Sequence, residues 1–246
     1  MKTRRTLTCG IAVMVFALIF AGCQKPDEPN NGDDINGGGN NNEGGATHAY
    51  VDLGLPSGLL WATCNIGAET PEGYGYYFAW GETDTKISYD WNTYLWSHGR
   101  YDELTKYCQD PSYGYNGFTD NLTFLMESDD AANVFWGRGW RMPTQADWEE
   151  LCANTRHRCT IQNDVGGICF EASNGNSIFL PMSGDRWKET LNSVGVYGCY
   201  WSSTLVYNHA PTSAYRLFFN LGSCYVNAVA RMRGCVVRAV RATPYN

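Results

Sequence analysis

The chain has 246 residues, a formal net charge of −7 at pH 7 and 43% hydrophobic residues. This acidic balance, with no basic run that carries interleaved aromatic residues, argues against nucleic acid as a partner. Aromatic residues make up 14% of the chain while helical periodicity is scarce, which favours short strands and ordered loops over a helical bundle.

The chain opens with a pattern typical of an export signal. Three basic residues among the first five precede an apolar run, 11–20, that is too short to span a membrane. The run is followed by Ala-Gly-Cys at 21–23, which resembles the lipobox of bacterial lipoproteins. The resemblance implies that residues 1–22 are removed and that Cys23 is lipidated, anchoring the chain to a membrane. An ordinary cleaved secretion signal is the alternative.

The segment that follows, 23–47, contains runs of Asn, Gly and Asp with a single aliphatic side chain, Ile35. It has almost nothing to bury, so it predicts a disordered tether. The charges just after Cys23 resemble the surface-export tag of Bacteroidetes lipoproteins, and a plain spacer is the alternative. We therefore expect a lipid-anchored, surface-exposed protein of the outer membrane. The remainder, 48–246, has the length of one domain.

The first half of this domain is poor in regular elements. Two short strands are predicted over 50–54 and 59–66, separated by the turn residues Pro-Ser-Gly. An aromatic strand is predicted over 74–80. The stretch 84–121 is rich in Tyr, Trp, Gly and Asp without a sustained period, which predicts long packed loops.

Two short helices are predicted in the middle of the domain. Ser128 is expected to cap the first, because the acidic pair 129–130 follows it and favours the positive end of a helix. Thr144 and Asp147 have the spacing of a capping box and predict the start of the second. Trp148 lies on the apolar face of that helix.

A run of strands completes the domain. They are predicted over 158–162, 167–172, 177–181, 200–204, 214–220, 224–230 and 235–240. One or two short helices, many short antiparallel strands and long loops define an α+β class.

Eight cysteines lie in the domain, because Cys9 belongs to the predicted signal and Cys23 is the predicted lipidation site. An even number outside the cytoplasm suggests disulfides. A hairpin turn centred near Asp164 sets Cys159 opposite Cys169, at a separation that a disulfide closes with local twist. The sequence therefore predicts a bridge between these two residues, with buried free thiols as the alternative.

Seven motifs, in order along the domain, resemble one family. They are YVDLGLPSG from Tyr50, LWATCNIG from Leu60, YFAWGET from Tyr77, WRMPT from Trp140, NSIFLP from Asn176, YWSS from Tyr200 and VRAV from Val237. Together they resemble the Fibrobacter succinogenes major paralogous domain over almost all of 48–246. The resemblance implies a C-type-lectin-like fold, akin to formylglycine-generating sulfatase modifiers, on secreted or surface lipoproteins of gut Bacteroidetes.

The tryptophans within or beside these motifs are predicted to pack in the core. They are Trp61, Trp80, Trp140, Trp148 and Trp201.

No combination of residues predicts a catalytic site. A formylglycine-generating enzyme needs a copper-holding cysteine pair near the chain end, where only Cys224 and Cys235 lie, without the family's wider motif. The four histidines are scattered without ligand-like spacing. We therefore expect no enzyme activity and no cofactor, and keep a formylglycine-generating-type oxidase as the alternative.

Two groups of charged residues are candidates for ion-binding sites. Four acids are candidate calcium ligands, with helix capping as the alternative: Asp120, Glu127, Asp129 and Asp130. Four arginines are predicted to pair with surface acids, with an anion site as the alternative: Arg231, Arg233, Arg238 and Arg241.

Aromatic residues outside the motifs are the predicted ligand contacts, because Tyr and Trp offer rigid faces to sugar rings or protein surfaces. One candidate surface holds Trp91, Tyr94, Trp96 and Tyr113. A second holds Tyr207, Asn208, His209 and Tyr225, in a region that resembles the ligand face of lectin-fold proteins diversified by retroelements. The sequence thus predicts a surface lipoprotein whose non-catalytic domain binds a glycan or a protein. A passive envelope structural protein is the remaining alternative.

Overall fold

The computed structural model describes residues 48–137, 139–206 and 211–243. The predictions that fall outside these residues concern 1–47, including Cys23, and Tyr207, Asn208 and His209. Within the described ranges, no helix is both long enough and apolar enough to cross a bilayer.

The described residues form two α-helices, two 3₁₀ helices and twelve strands. The helices are α1 (Ala131–Trp136) and α2 (Gln145–Asn154), and the 3₁₀ turns are Tyr115–Gly117 and Glu127–Asp129. The strands are β1 (Tyr50–Asp52), β2 (Leu60–Asn65), β3 (Trp140–Arg141), β4 (Thr155–Gln162), β5 (Val165–Ala172), β6 (Ser177–Pro181), β7 (Asp185–Trp187), β8 (Thr190–Asn192), β9 (Tyr197–Leu205), β10 (Ser213–Asn220), β11 (Ser223–Ala230) and β12 (Arg238–Arg241). The prediction of few short helices and many short strands is confirmed.

These strands assemble into several small sheets. A four-stranded sheet has the order β1-β2-β12-β3, and two three-stranded sheets have the orders β11-β10-β9 and β4-β5-β6. The hairpin β7-β8 stands as a sheet of two strands. Every pairing between these strands is antiparallel.

Helix α2 begins where its local sequence predicts. The Thr144 hydroxyl accepts from the Asp147 backbone N–H at 3.1 Å, and the Asp147 carboxylate accepts from the Thr144 N–H at 2.7 Å. This reciprocal pair satisfies two of the free N–H groups at the helix start. Trp148 and Leu151 are fully buried on the inner face.

Two predictions about local structure are wrong. Ser128 does not cap α1, because Asp130 does so by accepting from the N–H groups of Ala132 and Asn133. The segment 74–80 is not a strand, since its pairing is confined to one bridge at Phe78. Positive φ at Gly75 interrupts the extended backbone that a strand requires.

The described residues form two apolar core clusters, and the predicted tryptophans all lie in them. Trp61, Trp80, Trp140, Trp148 and Trp201 are each no more than 4% exposed. Two of them also connect distant segments, because Trp80 Nε1 donates to Ser202 O at 2.8 Å and Trp201 Nε1 donates to Phe78 O at 2.7 Å. Their indole N–H groups therefore help to fix the position of β9.

The predicted Cys159–Cys169 disulfide is wrong, although the hairpin that carries these residues is present. Cys159 pairs with Ile168 and Cys169 with Arg158, because the connection is a two-residue turn at 163–164 with positive φ at both positions. A register offset of one residue sends the two side chains to opposite faces of the sheet. The disulfide in the described residues joins Cys199 and Cys235.

Two of the four arginines predicted to face surface acids are instead fully buried. Arg238 donates from Nε to Asn65 Oδ1 at 2.9 Å and from one terminal nitrogen to Phe179 O at 3.1 Å. Its other terminal nitrogen donates to the carbonyls of residues 62 and 63 at 3.1 and 2.9 Å. Burial lowers the pKa of this guanidinium.

Arg231 is buried in the same way and donates to the backbone carbonyls of Lys106 and Tyr107 at 2.7 and 2.8 Å. Arg233 pairs with an acid, Asp185, at 2.6 Å, but this acid is buried and does not lie on the surface. The Arg241 guanidinium lies over the rings of Tyr50 and Trp140. The arginines near the chain end thus serve mainly to cross-link loops and strands.

Replacing Arg238 with methionine is expected to lower the free energy of unfolding by about 3 kcal/mol or more, because four acceptors, three of them in buried hydrogen bonds, lose their donor. Urea denaturation measures the change. Arg156→Met, on an exposed position of β4, is the matched control and should stay within about 0.5 kcal/mol of the parent. Equal stability of the two variants would contradict a structural role for Arg238.

Candidate functional site

Part of the first predicted ligand surface, which contains Tyr94, is buried in the core. Tyr94 is 2% exposed and its hydroxyl donates to Trp80 O at 2.7 Å, while burial raises its pKa. Trp91 is half-buried and packs edge-on against Tyr94, with 5.5 Å between ring centroids. Tyr94 therefore supports the fold and offers no ring face to a ligand.

Trp96 borders a surface depression of about 350 Å³, which we call the loop groove. It is lined by Gly81, Glu82, Thr83, Asp84, Thr85, Lys86, Thr93, Leu95, Trp96, Ser128 and Asp129. The Trp96 indole donates to Gly81 O at 2.7 Å, and the Lys106 ammonium lies 4.4 Å from the Trp96 ring centroid. Tyr113 does not line the groove; it is half-buried, and its ring centroid lies 6.4 Å from that of Tyr101.

Two of the three carboxylates that line the loop groove are bound by other residues of the protein. Glu82 accepts from Lys86 Nζ and from the Leu95 N–H, each at 2.8 Å. Asp129 accepts from Lys106 Nζ at 2.6 Å and also from the Tyr107 hydroxyl. These internal pairs neutralise Glu82 and Asp129 and hold the loops of the groove together, whereas Asp84 is exposed.

The four calcium candidates do not meet at one point to form a site. Asp120 accepts from the backbone N–H groups of Tyr107 and Cys108 at 2.7 and 3.0 Å, and Asp130 caps α1. Glu127 is exposed in the turn before α1. Over the described ranges, no group of three or more His, Cys, Asp or Glu side chains is arranged to hold a metal ion.

The face of the β9-β10-β11 sheet that points away from α2 is partly exposed and presents a different kind of surface, which we call the strand platform. It consists of Tyr197, Arg216, Phe218, Tyr225 and Asn227. Strand register places these side chains together, because Phe218 pairs with Tyr225 and Arg216 pairs with Asn227. Tyr225, one of the predicted ligand contacts, is 46% exposed there.

Three aromatic rings run side by side across the platform. The Tyr197 and Phe218 centroids are 5.2 Å apart, and the Phe218 and Tyr225 centroids are 5.5 Å apart. The Arg216 guanidinium carbon lies 5.0 Å from the Phe218 centroid, and its Nε donates to Asn227 Oδ1 at 3.1 Å. The platform thus combines an apolar row with a cation and an amide.

Buried groups at the platform's margin fix its orientation. Asp185 is 1% exposed, accepts from the Tyr197 hydroxyl at 2.8 Å and pairs with Arg233. Burial raises the pKa of Tyr197, and the hydrogen bond to Asp185 adds to the effect. Burial also lowers the pKa of Arg216, whose terminal nitrogen lies 3.0 Å from the Cys199 sulfur.

The inward face of the same sheet packs against α2. Leu217 and Phe219 of β10 are fully buried there with Trp148 and Leu151 of the helix. Gly198 of β9 is required at this face, because an added Cβ would lie 2.1 Å from the Phe219 ring. Alternation along β10 therefore assigns one set of side chains to the core and the other to the platform.

Of the five platform residues, the sequence predicts Tyr225 as a ligand contact and does not predict the other four. The signal was present, since Arg216 and Phe218 alternate with Leu217 and Phe219 along a predicted strand. The sequence alone did not show which of the two faces would be covered by a helix.

The cysteine pair considered for copper is not formed. Cys235 is bonded to Cys199, and Cys224 lies on β11 with its sulfur 3.9 Å from that of Cys152. Comparison of the chain with protein-family models, with curated proteins and with solved structures finds no match.

Asp130→Ala is expected to lower the free energy of unfolding by about 2 kcal/mol, because the cap of α1 and the bond to the Met142 N–H are both lost. Asp130→Asn keeps an acceptor oxygen and should cost less. Thermal or urea unfolding with and without calcium distinguishes the two roles of this residue. A parent protein stabilised by calcium, with the effect abolished in both variants, would favour the metal-ligand role instead.

Proposed function

We propose that this chain is a lipid-anchored surface protein whose non-catalytic, C-type-lectin-like domain binds a glycan or protein ligand at the strand platform. The observation that carries the proposal is the row of Tyr197, Phe218 and Tyr225 beside Arg216 and Asn227.

Glycans are the ligand class that this chemistry supports best. Sugar rings present C–H faces that pack on aromatic rings, and their hydroxyl groups hydrogen-bond to guanidinium and amide side chains. The platform lies on strands of one sheet, so its side chains are held in place before binding and little ordering cost is added. A protein ligand that inserts an apolar or acidic side chain would use the same rings and the same cation.

A binding role is also favoured over catalysis. The polar groups at the platform are engaged with one another in a structural network, as in the bonds of Arg216 to Asn227 and of Asp185 to Tyr197. The alternative of a formylglycine-generating-type oxidase predicts copper uptake and oxygen consumption. The alternative of a passive envelope subunit predicts association with envelope proteins and no soluble ligand.

The proposed localisation at the outer membrane follows from the N-terminal sequence. A lipid on Cys23 and the polar segment up to residue 47 would hold the domain at the outer membrane surface while leaving the platform free to meet a ligand. This assignment rests on the resemblance of Ala-Gly-Cys to a lipobox.

Tyr225→Ala is expected to weaken ligand binding by about tenfold or more, because the exposed end of the aromatic row is removed. The free energy of unfolding should fall by no more than about 1 kcal/mol, since the ring is half exposed. The full-length chain is first screened on glycan and protein arrays, and the dissociation constants of the hits are then measured for both proteins.

Tyr50→Ala is the matched control, because Tyr50 has a similar exposure of 48% but lies on β1. Binding by this variant should equal that of the parent. A folded parent with no hit on either array, or equal losses in both variants, would count against the platform.

Cys23→Ser is expected to abolish lipidation, because the thiol that accepts the lipid is removed. Metabolic labelling with a fatty-acid analogue should label the parent and not the variant, and the variant should leave the membrane fraction. Incorporation of the label into Cys23→Ser would refute the proposed anchor.

A further inference from the structure

Two thiols outside the strand platform lie side by side between α2 and β11. The Cys152 sulfur, on the last turns of the helix, is 3.9 Å from the Cys224 sulfur on the edge strand. Both residues are partly buried and pack against the first core cluster. They are 72 positions apart in sequence, so the fold, rather than local sequence, brings them together.

Three features of this pair point to bond formation. The sulfurs lie 3.9 Å apart, so reaching the bonding distance of about 2 Å is a movement on the scale of a side-chain rotation. The Cys199–Cys235 disulfide indicates that the chain matures where thiols are oxidised. A hydrogen bond from Cys224 lowers the pKa of Cys152 and so favours the thiolate that starts exchange.

We propose that Cys152 and Cys224 form a second disulfide, which covalently joins α2 to the edge strand of the β9-β10-β11 sheet. This proposal rests on the pair's own geometry and does not depend on the function proposed for the platform. The bond would hold β11 in place from its inward face, while the next residue, Tyr225, points outward.

The oxidant is a disulfide, either of a small molecule or of a thiol–disulfide oxidoreductase. The Cys152 thiolate attacks one sulfur of that disulfide, and the other sulfur leaves as a thiol, giving a mixed disulfide on Cys152. The Cys224 thiolate then attacks the Cys152 sulfur and releases the second oxidant sulfur as a thiol. Two cysteine thiols are oxidised and one external disulfide is reduced to two thiols, so electrons and protons balance.

A third thiol lies close enough to compete and must be included in the test. Cys159 lines the same depression as Cys224, and its thiol donates to Asn220 O at 3.2 Å. The hydrogen bond to Asn220 directs Cys159 toward the β10-β11 turn. Cys152 is therefore the partner that the geometry selects for Cys224.

The experiment uses the full-length chain equilibrated with oxidised and reduced glutathione. Free thiols are alkylated under denaturing conditions, and the protein is digested and examined by mass spectrometry. We expect the peptides containing Cys152 and Cys224 to appear as one species, about 2 Da lighter than their sum, that separates on reduction. Cys64, half-buried and unpaired within the described chain, should be alkylated in the same sample.

Stability provides an independent readout. Cys152→Ser and Cys224→Ser should each lower the melting temperature by about 5 °C or more, and the double variant should fall no further, because all three lack the same bond. Cys64→Ser should leave it unchanged. In the presence of a reducing agent, the parent protein should have the same melting temperature as the single and double variants.

Alkylation of both Cys152 and Cys224 after equilibration would overturn the proposal, as would recovery of Cys224 joined to Cys159. Because the peptide mapping is done on the parent protein, the test stands even where a serine variant fails to fold.

Discussion

A buried guanidinium determines how the sheets of this domain are placed. Arg238 lies on β12, yet its donors reach β2 of the same sheet and Phe179 of β6 in another sheet. Removing a charge from water is costly unless its donors are satisfied, and here backbone carbonyls and the Asn65 amide oxygen satisfy them. The two sheets are therefore held at the separation that one side chain spans. Arg231 applies the same constraint to the loop at 106–107.

With the sheets fixed, the β9-β10-β11 sheet divides its side chains between two roles. Leu217 and Phe219 pack beneath α2, whereas Phe218 and Tyr225 face outward. The apolar surface left on the outer side is ordered by a buried acid, because Asp185 holds the Tyr197 hydroxyl. Side chains held on paired strands in this way are more ordered than aromatic residues carried on loops.

The sequence predicts structural features that depend on neighbouring residues. It does not predict features that depend on contacts between distant segments of the chain. The capping box at Thr144 and the boundaries of β6 follow from local rules and are confirmed. The burial of Arg238 depends on Phe179, 59 positions away, and no periodicity reveals that contact. The sequence predicts Tyr225 as a ligand contact and not Phe218, although both lie between motifs and inside predicted strands. The face that each occupies depends on strand pairing and on the helix that packs against the sheet.

The loop that is closed by the Cys199–Cys235 disulfide contains two complete strands. The bond closes a loop over a separation of 36 residues, and β10 and β11 lie entirely within it. A single backbone cleavage anywhere inside this loop leaves both pieces covalently joined, so the strands are not released from each other. Arg216, Phe218 and Tyr225 would then stay tethered to β9 after a cut that severs their connection through the main chain.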